Sequence, residues 1–262
     1  MRNRLDLELV KRGLARSRES AQLLIESGVV IVKGIPAIKS STQVNPDDSI
    51  HISKEKESFV SRGGQKLFGA LRAFPDIEIE GKVALDAGAS TGGFTDVLLR
   101  EGAAKVIAVD VGYGQLAWNL QKDQRVLMID RKNIKDLQLS EIGEPVDLVV
   151  ADLSFISLRS VLKSLISLGK PFADFLLMVK PQFEVGKEKV GAGGVVRDPV
   201  LRFDAVKSVA DAAFLLGFGV KGVVASSVPG PSGNVEYFLW LKAGASALDD
   251  HLLSEAISRG PA

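Results

Sequence analysis

Apolar residues of this chain are concentrated in seven short runs, and stretches with helical spacing of apolar residues separate most of them. The runs cover residues 82–88, 105–111, 125–130, 147–153, 175–181, 220–228 and 234–242. Near-continuous Val, Leu and Ile runs of strand length that alternate with helices are typical of a parallel sheet covered on both faces. The pattern therefore predicts an α/β domain built on a seven-stranded, Rossmann-like sheet.

The last two runs have a different connection. Only the short segment PGPSG joins them, and it is too short for a crossover helix. We therefore expect these two strands to pair antiparallel. A seven-stranded sheet with an antiparallel last strand is typical of class I methyltransferases rather than of dinucleotide-binding domains.

The first part of the chain has shorter elements. Two helical patterns end at Gly13 and Gly28, and the strand-like runs VVIVKG and DDSIHIS follow. This predicts a small α+β domain, followed by the charged stretch SKEKESFVSRGG. We place the small domain at 1–56, a linker at 57–64 and the large domain at 65–262.

Charge is distributed unevenly between these parts. The net charge is +1, but residues 1–45 hold eight basic residues against four acidic ones, which gives +4 there and −3 elsewhere. A basic segment on a neutral body indicates either a surface for a polyanion or an ordinary solvated helix face. For a nucleic-acid surface, the candidate contacts are Arg4, Lys11, Arg12, Arg16, Arg18 and Lys33.

Composition excludes several kinds of chemistry. The chain has no cysteine and only two histidines, so disulfides, thiol nucleophiles and His-rich metal sites are excluded, and we expect no metal. The charged N-terminus and the absence of an 18-residue apolar run predict a soluble, cytoplasmic protein that does not enter a membrane.

The stretch VALDAGASTGGFTDVLLREG reads as a strand, a glycine-rich turn and a helix, an arrangement that offers free backbone N–H groups to a ligand. Ser90 stands where a nicotinamide fingerprint has the glycine that admits a pyrophosphate. S-adenosylmethionine has no pyrophosphate and tolerates a serine there. The candidate residues for this cofactor are Asp86, Gly88, Ser90, Thr91, Gly92, Phe94, Asp110, Asp130 and Asp152.

Three of these carboxylates have expected roles. Asp86 would hold the ligand's ammonium indirectly, through the groups that surround it. Asp110 would accept both ribose hydroxyl hydrogens, and Asp130 would lie near the adenine. Asp at the end of a strand is also a common helix cap. Three such residues after three successive strands favour a ligand, because ligands of open sheets bind at that edge. Trp118 is expected in the core.

Four further positions suggest a catalytic group: Lys66, Asp152, Lys180 and Glu236. Asp152 and Lys180 end the fourth and fifth strands and should therefore face one crevice. Lys180 follows a buried apolar run, so it is poorly hydrated, which favours a neutral amine. Glu236 begins a strand that runs opposite to its neighbours, so it should meet their carboxyl ends. A plain ion pair between Asp152 and Lys180 is the alternative.

The order Lys–Asp–Lys–Glu resembles the tetrad of ribose 2′-O-methyltransferases related to the heat-shock protein FtsJ. The stretch RLDLELVKRGLARSRESAQLLIESGVVIVKG resembles the S-four type (alpha-L) RNA-binding domain. These features occur with VSRGGQKL, VGYGQLAW, DLSFISL, VKPQFE and PGPSGNVEYF. Together they make the chain similar, from about residue 3 to residue 242, to the hemolysin-like TlyA family of rRNA (cytidine-2′-O)-methyltransferases.

The resemblance implies methylation of cytidine riboses in small-subunit and, in many members, large-subunit rRNA. Ribosomal RNA or a ribosomal subunit would be the partner, and we expect the protein itself to be a monomer. Lys180 would be the general base, Lys66 and Glu236 would position the ribose hydroxyl, and Asp152 would lie between the methyl donor and Lys180.

Three alternatives stay open. A small-molecule methyltransferase would explain the cofactor motif but neither the small domain nor the two lysines. A non-catalytic RNA-binding or ribosome-assembly factor would not need an intact tetrad. A membrane-active hemolysin would need an export signal or amphipathic spanning segments, which the sequence does not contain. The sequence does not determine the target nucleotide.

Overall fold

The computed structural model describes residues 3–26, 28–33, 35–37, 39–52, 59–230 and 232–260. The chain divides into two compact units, Met1–Ser58 and Phe59–Ala262. Within the described ranges, none of the helices has the length and apolar character needed to cross a membrane.

The N-terminal unit is a small α+β fold. Its elements are β1 (Asn3–Arg4), α1 (Leu5–Lys11), α2 (Arg18–Glu26), β2 (Val30–Val32), β3 (Ile35–Pro36), β4 (Gln43–Val44) and β5 (Ile50–Ile52). β1 pairs with β4, and β2 lies between β3 and β5, all antiparallel. Leu5, Leu9, Ala21 and Ile25 pack the two helices on each other and are almost fully buried. The two helical patterns of the sequence therefore form one core.

The C-terminal unit alternates strands and helices. Its strands are β6 (Val83–Ala87), β7 (Lys105–Val109), β8 (Val126–Ile129), β9 (Val146–Ala151), β10 (Gly169–Val179), β11 (Phe218–Ala225) and β12 (Tyr237–Ala243). Its helices are α3 (Arg62–Ala73), α4 (Gly93–Arg100), α5 (Trp118–Gln121), α6 (Leu139–Ile142), α7 (Leu162–Leu168), α8 (Pro181–Glu184), α9 (Pro199–Leu215) and α10 (Asp250–Ser258).

The seven strands form one sheet in the order β11–β12–β10–β9–β6–β7–β8. The pairs from β10 through β9, β6, β7 and β8 are parallel, and β12 pairs antiparallel with both β10 and β11. The predicted α/β fold and its antiparallel last strand are confirmed. The start of β12 consequently lies at the edge where the parallel strands end.

The sheet is buried on both faces, as its apolar runs predict. Along β12, Tyr237 and Leu239 contribute to the core on one face, while Phe238 and Trp240 contribute to the core on the other. The period of two along a strand explains this division.

The segment predicted as a linker is partly helical. Residues 57 and 58 lie outside the described residues, but α3 already begins at Arg62, before the predicted boundary at 65. Ser61 caps this helix, because its hydroxyl oxygen accepts a hydrogen bond from Gly63 N at 3.2 Å. Gly63 and Gly64, at the end of the predicted linker, belong instead to the first turn of α3.

Candidate active site

Two neighbouring cavities open at the edge of the sheet where the parallel strands end. They measure about 470 and 450 Å³, and they share four residues: Gly88, Ser90, Asp152 and Ser154. The first, here the lysine cavity, also contains Lys66, Phe94 and Lys180 in its lining. The second, here the aspartate cavity, contains Asp110. The shared wall means that groups bound in the two cavities would be close to each other.

Lys180 emerges into the lysine cavity directly after β10. Its Nζ lies 2.6 Å from Asp152 Oδ1 and 2.9 Å from Ser154 Oγ, and its side chain is 9% exposed. Asp152 follows the neighbouring strand β9, so the parallel pairing of β9 with β10 brings the two together. The expected convergence of Asp152 and Lys180 is present in the structure. Ser154, which the sequence analysis did not include, is a third member of this group.

Lys66 reaches the same cavity from α3. It lies on the buried stripe of that helix with Leu67 and Ala70, and its Nζ is 2.5 Å from Glu236 Oε2. The two side chains are 8% and 2% exposed. Burying a carboxylate is costly unless it is paired or hydrogen-bonded. This pairing accounts for an acidic residue beside the most apolar strand.

Glu236 itself is outside the lining of the lysine cavity. It precedes the first residue of β12, and a Cβ at Gly230 would lie 2.8 Å from its Oε1. The loop before β12 therefore closes over the carboxylate, and Glu236 can act on a bound molecule only through Lys66.

The glycine-rich turn brings two strand ends into contact. Gly88 has φ +86°, and a Cβ on it would lie 2.7 Å from the carbonyl oxygen of Asp152. Gly92, at φ +95°, is covered by the side chains of Leu116 and Leu120. The turn 88–92, including Ser90 and Thr91, lines the lysine cavity, with Gly92 behind it. Only glycine allows the wall between the two cavities to be this thin.

Asp86 lies below this turn and is fully buried. Its Oδ2 accepts a hydrogen bond of 2.7 Å from Thr95 Oγ1, while Oδ1 has no hydrogen-bond partner among the described residues. Burial raises the pKa of Asp86 to about 7, and the nearby carboxylates of Asp152 and Asp110 act in the same direction. An unpartnered acceptor of this kind fits a cationic ligand group held in its neighbourhood.

Asp110 lines the aspartate cavity, as its position after β7 suggests. Its two carboxylate oxygens accept hydrogen bonds from Ser90 N at 2.8 Å and Gly112 N at 2.7 Å. Each oxygen keeps a second lone pair, so the carboxylate can still accept hydrogen bonds from a diol.

The structure gives Asp130 a different place from the one predicted. Although it follows β8, it lies outside the lining of both cavities, and its Oδ2 accepts a hydrogen bond from Gly114 N at 2.8 Å. The residues after it, Lys132, Asn133 and Ile134, line the aspartate cavity instead. The chain turns at Arg131, where φ is +55°, so Asp130 holds a loop rather than facing the cavity.

Two aromatic residues differ in their surroundings. Phe94 lines the lysine cavity and stacks on Phe238 with ring centroids 6.0 Å apart. The expectation that Trp118 lies in the core is wrong, because its side chain is 68% exposed. The short helix α5 buries Leu120, and the ammonium of Lys122 lies over the outward-facing indole.

Several of the candidate RNA-binding residues form ion pairs within the N-terminal unit. Arg4 and Arg18 bind the buried carboxylate of Asp6, and their hydrogen bonds hold the pKa of Asp6 well below its usual range. Lys33 lies 2.7 Å from Asp48.

Arg12 has a structural position. It donates to Glu8 and to the backbone carbonyls of Asn45, Pro46 and Asp48, so it fixes the loop before β5. Lys11 and Arg16, by contrast, are exposed, and neither forms an ion pair with another described residue. Of the six predicted residues, Lys11 and Arg16 therefore have the side chains most available to contact RNA.

Within the ranges that the structure describes, no group of three or more acidic or histidine side chains could hold a metal ion. The cavities instead combine lysines, carboxylates and backbone N–H groups. This set can bind a polar cationic ligand in one cavity and exchange a proton with a hydroxyl in the other.

The sequence matches the family model of FtsJ-like methyltransferases over residues 59–243. It is 54% identical over 267 residues, covering 99% of each chain, to the 16S/23S rRNA (cytidine-2′-O)-methyltransferase TlyA of Mycobacterium tuberculosis. It is 34% identical over 255 residues to the 23S rRNA (cytidine-2′-O)-methyltransferase TlyA of Campylobacter jejuni, covering 90% of this chain and 98% of that relative. A solved structure of a hemolysin-named protein from Streptococcus thermophilus superposes with a TM-score of 0.75 at 34% identity, covering 98% of this chain and 95% of that one. The chain therefore belongs to the FtsJ-like methyltransferase family.

Proposed function

We propose that this protein methylates the ribose 2′-hydroxyl of a cytidine in ribosomal RNA, with S-adenosylmethionine as the methyl donor. The observation that carries the proposal is the meeting of the buried ion pair Lys66–Glu236 and the half-buried ion pair Lys180–Asp152 at a cavity that shares a wall with a second, Asp110-lined cavity. The names of the relatives from M. tuberculosis and C. jejuni support the choice of cytidine and of rRNA.

The aspartate cavity fits the methyl donor. Asp110 offers carboxylate lone pairs to the ribose hydroxyls, the backbone of Gly88 permits close approach, and Asp86 supplies a negative potential for the ammonium. When bound, S-adenosylmethionine would supply a methyl group whose carbon–sulfur bond breaks as the 2′-oxygen attacks from the opposite side, so that S-adenosylhomocysteine leaves. Asp152, in the shared wall, would lie between this group and Lys180.

Lys180 is our choice for the proton acceptor. A 2′-hydroxyl is a weak nucleophile until its proton is taken, and Lys180 in its amine form would accept that proton as the new oxygen–carbon bond forms. The ammonium that results is then stabilised by Asp152, at 2.6 Å. Positioned general base catalysis contributes ~10²–10⁴-fold to a rate.

Lys66 and Glu236 would hold the hydroxyl in line for attack. Lys66 lines the cavity and would donate to the ribose oxygen, while its hydrogen bond to Glu236 fixes the direction of the side chain. All four residues come from one chain, so the site does not require a second copy. An rRNA substrate would place the activity in the cytoplasm.

The N-terminal unit would bind the RNA backbone. Lys11 and Arg16 are exposed and can contact phosphates directly, whereas Arg12 acts by holding the fold of the unit. Contacts of this kind position a protein on RNA without reading its sequence.

The first prediction tests the base. In Lys180→Ala, methyl transfer to isolated ribosomal subunits should fall by on the order of 10²–10⁴-fold, because the hydroxyl proton has no acceptor. Binding of S-adenosylmethionine should change little. The measurement is transfer of a labelled methyl group to each subunit, together with calorimetric titration of the donor.

A matched control lies on the same two strands. Lys170 forms a 2.7 Å ion pair with Asp147, joining β10 to β9 at the opposite edge of the sheet. Lys170→Ala should retain activity. Undiminished turnover in Lys180→Ala would contradict the assignment, and methylation of small metabolites instead of subunits would favour a small-molecule methyltransferase.

A further inference from the structure

Glu184 is a buried carboxylate that has no role in the proposed reaction. It lies four residues after Lys180, at the end of α8, and its side chain is 1% exposed. A carboxylate removed from water in this way is costly unless it accepts several hydrogen bonds. Its partners therefore indicate what the residue holds in place.

Those partners are three consecutive residues after β9. Glu184 accepts hydrogen bonds from Ser157 Oγ at 2.6 Å, from Leu158 N at 2.6 Å and from Arg159 Nε at 3.3 Å. Arg159 also donates from Nη2 to the backbone oxygen of Glu184 at 3.1 Å. Burial raises the pKa of Glu184, and these hydrogen bonds oppose that rise by favouring the charged form.

The segment 153–156, which precedes these partners, forms part of the wall of the aspartate cavity. It begins after Asp152, and its Ser154 contacts Lys180 Nζ at 2.9 Å. Phe155 has φ +62°, a strained conformation for a bulky residue that persists only when its surroundings impose it.

Both ends of this segment are thus tied to the chain that follows β10. Lys180 holds the beginning through Asp152 and Ser154, and Glu184 holds the end through residues 157–159. The first contact must be free to change during proton transfer. The second contact involves no reacting group and can persist throughout.

We propose that Glu184 is a positioning residue, which keeps the segment 153–156 in the strained conformation that forms the donor cavity and presents Ser154 to Lys180. The identity of the donor rests on the proposed function, but the tie between Glu184 and this segment does not. Loss of the carboxylate would free the segment to relax at Phe155, and the cavity wall would lose its shape before the fold is lost.

The test compares Glu184→Ala and Glu184→Gln with the wild-type chain by amide hydrogen exchange and by calorimetric titration of S-adenosylmethionine. In Glu184→Ala, exchange of amides 153–160 should accelerate at least about 10-fold more than elsewhere in the unit. Local opening of this segment in the wild type must break the hydrogen bonds to Glu184, and in the variant that cost is absent. The Kd for the donor should rise by on the order of 10-fold. Glu184→Gln keeps an oxygen for Leu158 N but loses the charge, so its effects should be intermediate.

Asp174→Ala is the matched control. Asp174 accepts hydrogen bonds from Trp240 Nε1 at 2.7 Å and from Lys242 Nζ, on the same strand β10 but towards the opposite edge of the sheet. Its loss should lower the melting temperature without changing the donor Kd or the exchange of 153–160.

Unchanged exchange at 153–160 together with an unchanged Kd in both Glu184 variants would overturn the inference, whatever happens to the melting temperature. If Glu184→Ala fails to fold, Glu184→Gln decides by the same two measurements. A wild-type chain that binds the donor but methylates no ribosomal subunit would contradict the proposed RNA substrate, while the exchange result would still decide the role of Glu184.

Discussion

At the scale of single residues, three of the buried carboxylates in the described part of the C-terminal unit have three kinds of partner. Glu236 pairs with an ammonium, and Glu184 accepts from a hydroxyl, a backbone amide and a guanidinium. Asp86 accepts from the Thr95 hydroxyl at Oδ2, and its Oδ1 has no partner among the described residues. The free energy of burying a charge depends on such partners. Asp86 is therefore the group whose charge is least compensated.

This difference leads to a prediction about pH. The pKa of Asp86 is raised from 3.8 to about 7 by burial, so between these values the folded chain binds a proton that the unfolded chain has lost. Its contribution to stability is present below about pH 4 and is lost as the pH rises through 7. Relative to Asp86→Asn, the free energy of unfolding of the wild type should fall by about 1.4 kcal/mol per pH unit in this window.

Urea unfolding followed by tryptophan fluorescence measures this effect. Both tryptophans, Trp118 and Trp240, belong to the unit Phe59–Ala262, so the signal reports that unit. Asp123→Asn is the control, because hydrogen bonds from Arg125 lower the pKa of Asp123 and move its titration below the window. Parallel curves for the wild type and Asp86→Asn between pH 4 and 7 would refute the prediction.

At the scale of elements, the site depends on how closely strand ends approach one another. The turn after β6 touches the end of β9 because Gly88 has no side chain and adopts φ +86°. The strand–turn–helix pattern predicts the turn. It does not predict that the backbone of Asp152 is the neighbour, since that follows from the pairing of β6 with β9.

Gly88→Ala should therefore have two effects. The positive φ costs an L-residue ~1–2 kcal/mol, and the Cβ would also displace Asp152 from 2.7 Å, which distorts the wall between the cavities. We expect a further loss of stability and a Kd for S-adenosylmethionine raised by at least about 10-fold. Chemical unfolding and calorimetric titration measure the two effects.

Gly217→Ala separates the conformational cost from the clash. Gly217 has φ +87°, and a Cβ there would meet no atom within 4 Å. This variant should lose only the stability that the positive φ costs an L-residue, and it should bind the donor with an unchanged Kd. Equal losses in the two variants would show that the contact with Asp152 has no effect.

At the scale of the whole molecule, the two units are stabilised by different interactions. The N-terminal unit has a small core and ion pairs to buried carboxylates, such as Arg12–Glu8, whereas the C-terminal unit is built on a sheet with large cores on both faces. Basic residues of the small unit therefore serve either its stability or its surface, and ion pairing within the unit distinguishes the two groups.

If Lys11 and Arg16 contact phosphates, the double variant Lys11→Ala/Arg16→Ala should bind rRNA more weakly. The slope of log K against log salt should become shallower by about 0.7–0.9 for each lost contact. Filter binding over a range of salt concentrations measures both quantities.

The control is Arg72→Ala/Lys82→Ala, which removes the same charge from the other unit. Lys82 precedes β6 and so lies at the edge of the sheet opposite the cavities. An equal loss of affinity in this control would mean that net charge alone, and not the N-terminal surface, governs binding.

Much of the architecture can be predicted from the sequence because it depends on local pattern. The runs that became β6 to β12 could be recognised from their apolar character, and the short PGPSG connection predicts the antiparallel pairing of β12. The positions of Asp152 and Lys180 after adjacent strands follow from the same pattern, because parallel strands end at one edge.

The sequence by itself determined the fold class, the order of the elements and which residue types reach the carboxyl edge, since each of these depends on short-range periodicity. Only the tertiary structure decided which of those residues meet. Glu236 pairs with Lys66, Glu184 holds residues 157–159 by hydrogen bonds, and Asp130 accepts a hydrogen bond from a loop instead of facing a cavity. Such contacts join residues far apart in the chain, and their geometry depends on strand order and on single backbone torsions. A pattern of apolar and polar positions contains neither.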